Sequence, residues 1–170
     1  MDRNAGDTRP QGMTERRSAS VMRWLGSLAL LAVGIDHIDQ YYNGYYRAVP
    51  TIGTLFLLNF VSALVVGLGL LVPLRRFSGR TTRPLITLLA VSGIVIAGGT
   101  LAGLFISESS GLFGFMEVGY RGEIVLSIVL DSATLVLLAA FLFLRSRPDG
   151  DSTTRQGLHA RRISRKEITT

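Results

Sequence analysis

Residues 123–145 read EIVLSIVLDSATLVLLAAFLFLR. Charge appears only at the two ends, Glu123 and Arg145, and once inside, at Asp131. A run of about twenty apolar residues crosses the ~30 Å hydrocarbon core of a bilayer at ~1.5 Å per residue. Lipid offers backbone N–H and C=O groups no partner, so such a segment must bond within itself as a helix. An aspartate at the centre of such a helix costs about 2.5–3.5 kcal/mol on insertion scales. Ser127, Asp131 and Thr134 share one helical face by their spacing. That face must turn away from lipid, into a bundle.

Three more blocks of the same kind precede it. The apolar residues gather at about 22–41, 51–73, 85–106 and 123–144. The chain has 170 residues, 48% of them hydrophobic, which is one domain's length. The expected fold is an all-α four-helix transmembrane bundle, with residues 21–145 as its four-span domain. Cysteine is absent, which removes disulfides and thiolate metal sites.

The 18 basic residues set the expected orientation. All but Arg47 and Arg121 fall in the N-terminal stretch, the second loop or the C-terminal tail. The positive-inside rule then places both termini and the middle loop in the cytoplasm, N-in and C-in. The cluster RQGLHARRISRK, residues 155–166, reads as solvated charge beside anionic lipid heads rather than as a nucleic-acid contact. Residues 1–20 are polar without an apolar period and read as a disordered cytoplasmic tail; 146–170 read as a basic, disordered one. The stretch RRSASVMRWLGSLALLAVG, residues 16–34, has a twin-arginine signal's outline but a poor cleavage pattern, so the first span is expected to stay as an anchor.

The first span ends in GIDHIDQYYNGYYR, residues 34–47. Tyr41, Tyr42, Tyr45 and Tyr46 read as an aromatic belt at the headgroup level, with Trp24 anchoring the other end. His37 lies one turn deeper and is expected to face Gln40 and Tyr41. Asp36, Asp39 and Gln40 share a face. In the second span Asn59, Ala63 and Gly67 recur at four-residue spacing. Small residues there let helices approach, and Asn59 can bond across the contact. In the third span Gly99 and Gly103 form a G-x-x-x-G pair, which favours tight helix packing. The loop SESSGLFGFMEVGYRG, residues 107–122, reads as an interfacial segment with Phe113, Phe115 and Met116 among the headgroups.

Residues 44–66 and 119–138 each begin with Gly, Tyr and Arg, then carry one polar residue at mid-depth, Asn59 and Asp131. Two hairpins of like orientation would be parallel repeats about an axis along the membrane normal. On that reading Asn59 and Asp131 lie near the axis and can hydrogen-bond. Alternatively, any two descending helices begin with interfacial Tyr and Arg.

Two stretches, YRAVPTIGTLFLLN at 46–59 and GLFGFMEVGYR at 111–121 with the fourth span after it, resemble a group of small four-span integral membrane proteins of actinobacteria. The resemblance covers roughly residues 24–144. Members similar to this chain carry a His near the outer end of the first span, matched by His37, and an acid in the fourth, matched by Asp131. The resemblance implies no activity.

Three functions remain open. The leading one is a non-enzymatic membrane interaction or envelope-associated protein of the cell membrane. The second is a small proton- or cation-coupled carrier using Asp131, Asn59 and His37, since intramembrane ionisable groups are functional candidates. The third is a redox subunit holding a metal or quinone near His37, where Asp36, Asp39, Glu108, Glu117 and Glu123 offer carboxylates. A haem held by two histidines would need a dimer, because His159 is the only other histidine and lies in the tail. No catalytic, cofactor-binding or metal residue is assigned, and no cofactor is called for. The candidate intramembrane polar site is Asp36, His37, Asp39, Asn59 and Asp131. Expected partners are membrane lipids, with other membrane proteins or a homo-oligomer also open, and no nucleic acid.

Overall fold

The computed structural model describes residues 11–72, 82–111 and 122–146. It is all-helical over those residues: α1 (Gln11–Asn43), a short 3-10 turn (Tyr46–Ala48), α2 (Pro50–Leu71), α3 (Thr82–Ser109) and α4 (Gly122–Ser146). Each of the four α-helices contains a stretch long and apolar enough to cross a membrane.

The bounds follow local chemistry. Pro50 opens α2, where its missing N–H would be unsatisfied anyway. Val72 ends it with ψ 127°, the extended geometry that a following proline, Pro73, imposes. Helix α1 starts at Gln11, so residues 11–20 extend the first span's helix instead of joining a disordered tail. The Ser18 hydroxyl donates to the Thr14 carbonyl along that extension, 3.0 Å. The expected tail segments 1–10 and 147–170, Arg75, Arg76 and Arg80 of the second loop, and residues 112–121 with Phe113, Phe115, Met116 and Glu117 lie outside the described residues.

The α1–α2 turn is tight. Gly44 N–H bonds the Gln40 carbonyl at 2.8 Å, and a Cβ on Gly44 would meet that same oxygen at 2.6 Å. Tyr45 follows in the left-handed conformation, φ 64°. This reversal turns Tyr46 back toward the bundle.

Helix α1 packs most extensively on α4 and α2; α3 completes the ring between them, and α2 and α3 meet least closely of the neighbouring pairs. Large apolar side chains face outward, with Val136 68% and Val95 66% exposed, while Ser27, Asp36, His37, Gln40, Asp131 and Thr134 are buried. Water as the outer solvent would penalise that arrangement by about 25 cal/mol per Å² of apolar surface. Lipid removes the penalty.

Along its axis the bundle has two unlike halves. The half holding the α2 C-terminus and the α3 N-terminus is dry: Leu30, Ala63, Val66, Leu70, Ala90, Leu138 and Phe141 form one core. Small residues bring helices together there. A Cβ on Gly67 would lie 2.7 Å from Leu31 Cδ2, and Ser27 Oγ donates to the Gly67 carbonyl at 2.6 Å. Gly34 faces Ala63, with a built Cβ 3.2 Å from the Ala63 Cβ. Arg145 closes this end, donating to the Arg83 carbonyl at 2.9 Å with its guanidinium above the Phe141 ring. The other half, below the 3-10 turn, is polar and holds a cavity.

Candidate functional site

Two hydrogen-bonded groups occupy the polar half. The first joins α1, α2 and α3. His37 sits one turn beyond Val33 on α1, so its Nδ1–H reaches back to the Val33 carbonyl at 2.8 Å. That bond fixes Nδ1 as the protonated nitrogen of the neutral ring and leaves Nε2 as an acceptor. Asn59 Nδ2 donates to Nε2 at 2.9 Å. The same nitrogen donates its second hydrogen to Thr100 Oγ1 at 2.6 Å, and Thr100 donates in turn to the Ile96 carbonyl at 3.0 Å. The direction of each bond therefore orients the Asn59 amide. Its carbonyl oxygen, Oδ1, is left buried with no partner. The His37 ring also packs on Phe56, centroids 5.0 Å apart, and Phe56 stacks on Tyr46 at 4.4 Å.

The second group joins α1 and α4. Gln40 Nε2 donates to Asp36 Oδ2 at 2.7 Å and to Ser127 Oγ at 2.8 Å. Ser127 donates to the same Asp36 oxygen at 2.5 Å, closing a triangle. Asp131 lies one turn along α4 from Ser127, roughly 6 Å deeper. It is wholly buried, and neither carboxylate oxygen has a hydrogen-bond partner.

The residues singled out in the sequence thus separate. Asp36 joins the Gln40–Ser127 triangle and His37 the Asn59–Thr100 chain. Asp39 instead faces outward and accepts from Asn43 Nδ2 at 2.7 Å. His37 meets Asn59 rather than Gln40 or Tyr41. Asn59 and Asp131 do not bond, because α2 and α4 are not neighbours in the ring. Among the described residues no three His, Asp or Glu side chains converge as a metal would need, and both ring nitrogens of His37 are engaged. The tyrosine belt divides as well. Tyr42 and Tyr45 are exposed, but Tyr46 is buried over Phe56.

Beside these groups lies a cavity of about 350 Å³. Its floor is His37, Asn59, Thr100, Gln40 and Ser127; Tyr46 and Phe56 lie at the turn end; its walls are apolar residues of α2 and α3. The wall residues Leu58, Val95 and Gly99 are exposed on the outer surface of the bundle, so the cavity opens sideways between α2 and α3. Gly99 contributes to that opening. A Cβ built on it meets nothing within 4 Å, so the expected tight packing at this glycine does not occur. The close approach on α3 is at Gly93 instead, where a Cβ would lie 2.6 Å from Leu138 Cδ1.

Nothing in the spacing alone singles out Thr100, Ser107 or the inward turn of Tyr46. One signal was present for Thr100. It lies as far from the end of α3 at Ser109 as Asn59 does from the start of α2 at Pro50, so the two share a depth. No family model, curated protein or solved structure matches the chain.

Proposed function

We propose that this chain is a multi-pass cell-membrane protein, both termini cytoplasmic, that binds a membrane-soluble amphiphile in the cavity between α2 and α3. One observation carries the reading. A cavity with a hydrogen-bonding floor and apolar walls opens between α2 and α3, on the apolar lateral surface of the bundle. Ligand pockets are mostly apolar with a few placed polar groups, and 350 Å³ is at the small end of their range. A head and the first part of a tail fit; the rest of the tail trails out past Leu58 and Val95. The reading keeps the protein non-enzymatic, and it replaces a metal near His37 with an organic occupant. The arginine asymmetry supports the orientation.

The test is photocrosslinking in nanodiscs with a diazirine-bearing C15 alcohol. Crosslinks are expected on α2 and α3 peptides of the wild type and are expected to fall at least tenfold in Gly99→Leu, whose side chain grows into open space. Equal labelling of both proteins, or labelling spread over all four helices, refutes the site. Orientation is checked with single cysteines in this cysteine-free chain. Thr170→Cys should react with an impermeant maleimide only after permeabilisation, and Tyr45→Cys in intact cells.

A second reading, a proton-coupled carrier, is favoured by Asp131. A buried carboxyl without a partner is costly, and intramembrane acids are often kept for proton transfer. Asp131 lies one helical turn from Ser127, which lines the cavity. Proton uptake by liposomes holding the protein, lost in Asp131→Asn, would support this reading over simple binding.

A further inference from the structure

We infer that the occupant of this cavity has an uncharged head that donates a hydrogen bond: a hydroxyl-bearing amphiphile such as a long-chain or isoprenoid alcohol, not a phosphate ester or a carboxylate. The inference rests on the binding reading above and names the ligand's chemistry.

Charge is decided by the lining. Its polar side chains are His37, Gln40, Asn59, Ser62, Thr100 and Ser107, with Tyr46 and Ser127 beside them; among the described residues no Arg, Lys, Asp or Glu takes part. His37 is neutral as bonded, one ring nitrogen donating and the other accepting. An ionised head buried here would have no counter-charge, and an unpaired buried charge is among the costliest groups in a low-dielectric site. Among the described residues no arginine lines the cavity, and Arg145 donates to the Arg83 carbonyl at the opposite end of the bundle.

Donor character is decided by what the floor has already spent. Asn59 uses both of its N–H groups, on His37 and on Thr100. Thr100 uses its hydroxyl on the Ile96 carbonyl. What remains is one pure acceptor, Asn59 Oδ1, beside the Ser107 hydroxyl, which both accepts and donates; both atoms are buried without partners and both residues line the cavity. Neither atom is open to water, so a hydroxyl reaches them through a side-chain adjustment of the kind ligands commonly induce. An occupant that donates to Asn59 Oδ1 supplies a bond that the protein does not. An ether or a ketone of the same shape leaves that oxygen unsatisfied. Such mismatches of a polar site are discriminated far more strongly than a missing methylene.

The experiment is competition against the same diazirine C15 alcohol, with wild-type protein in nanodiscs of neutral lipid. Farnesol, farnesyl methyl ether and farnesyl phosphate share a tail and differ only in the head. Farnesol should compete at least tenfold better than the ether, and the phosphate should not compete at comparable membrane loading. In Asn59→Leu the preference for farnesol over the ether should collapse toward unity. Should that variant fold poorly, the wild-type comparison of farnesol with its methyl ether decides alone. Equal competition by alcohol and ether, or better competition by the phosphate, overturns the inference while leaving the cavity as a binding site. Absence of any site-specific crosslink in the wild type overturns the binding reading itself.

Discussion

The two glycines at 93 and 99 of α3 allow a sharp comparison. Both become alanine, in one helix, six residues and roughly 9 Å apart. The intrinsic gain from Gly to Ala is about 0.8–1 kcal/mol at each position, so the variants differ only in what the new methyl meets. At 93 it meets Leu138 Cδ1 at 2.6 Å and Leu30 Cδ2 at 3.2 Å. Both leucines are wholly buried, so neither can swing aside freely. Overpacking of this sort costs about 1–3 kcal/mol, and the net change runs from about zero to about 2 kcal/mol of destabilisation. At 99 nothing lies within 4 Å, and the propensity gain is kept. Gly99→Ala should therefore exceed Gly93→Ala in stability by about 1–3 kcal/mol. The assay is SDS-driven unfolding in mixed micelles, followed by helical circular dichroism and read as a shift in the midpoint. If Gly99→Ala loses as much as Gly93→Ala or more, that position is tightly packed against another helix, in this chain or a second copy. The sideways opening, and the site built on it, would then be refuted.

Three further outcomes follow from the polar half. Asp131→Leu should hold or raise stability in the same assay, by about 1–2 kcal/mol, because it removes a buried carboxyl that bonds nothing; a loss above 1 kcal/mol would reveal a partner for Asp131. Ser127→Ala breaks the α1–α4 triangle and leaves Asp36 and Gln40 one partner short, so it should cost about 1–3 kcal/mol; no change in midpoint would mean that the triangle does not hold the helices. Ser27→Ala removes the α1–α2 bond to the Gly67 carbonyl and should cost about 0.5–1.5 kcal/mol, with an unchanged midpoint as the contrary result.

Hydropathy carries most of the architecture, because lipid makes one simple demand: about twenty apolar residues and every backbone bond internal. The ends are less legible. Residues 11–20 look like a tail by composition yet continue α1, since a helix leaving the membrane need not stop where its apolar residues do. Side-chain depth was also readable, and it is why His37, Asn59 and Asp131 stand out in the sequence. Neighbourhood was not. Asn59, Thr100 and Asp131 sit at similar depths, but only the order of helices around the ring decides that Asn59 meets Thr100 and misses Asp131. The same limit applies to the G-x-x-x-G pair. Spacing shows that Gly99 can be approached closely, and only packing shows that no helix does so.

The gap between Leu58 and Val95 has a consequence for how affinity must be expressed. A guest that arrives through the bilayer responds to its mole fraction among the lipids, not to its molarity in the buffer. At fixed total amounts, adding empty vesicles should drain the cavity, whereas adding plain buffer should leave its occupancy nearly unchanged.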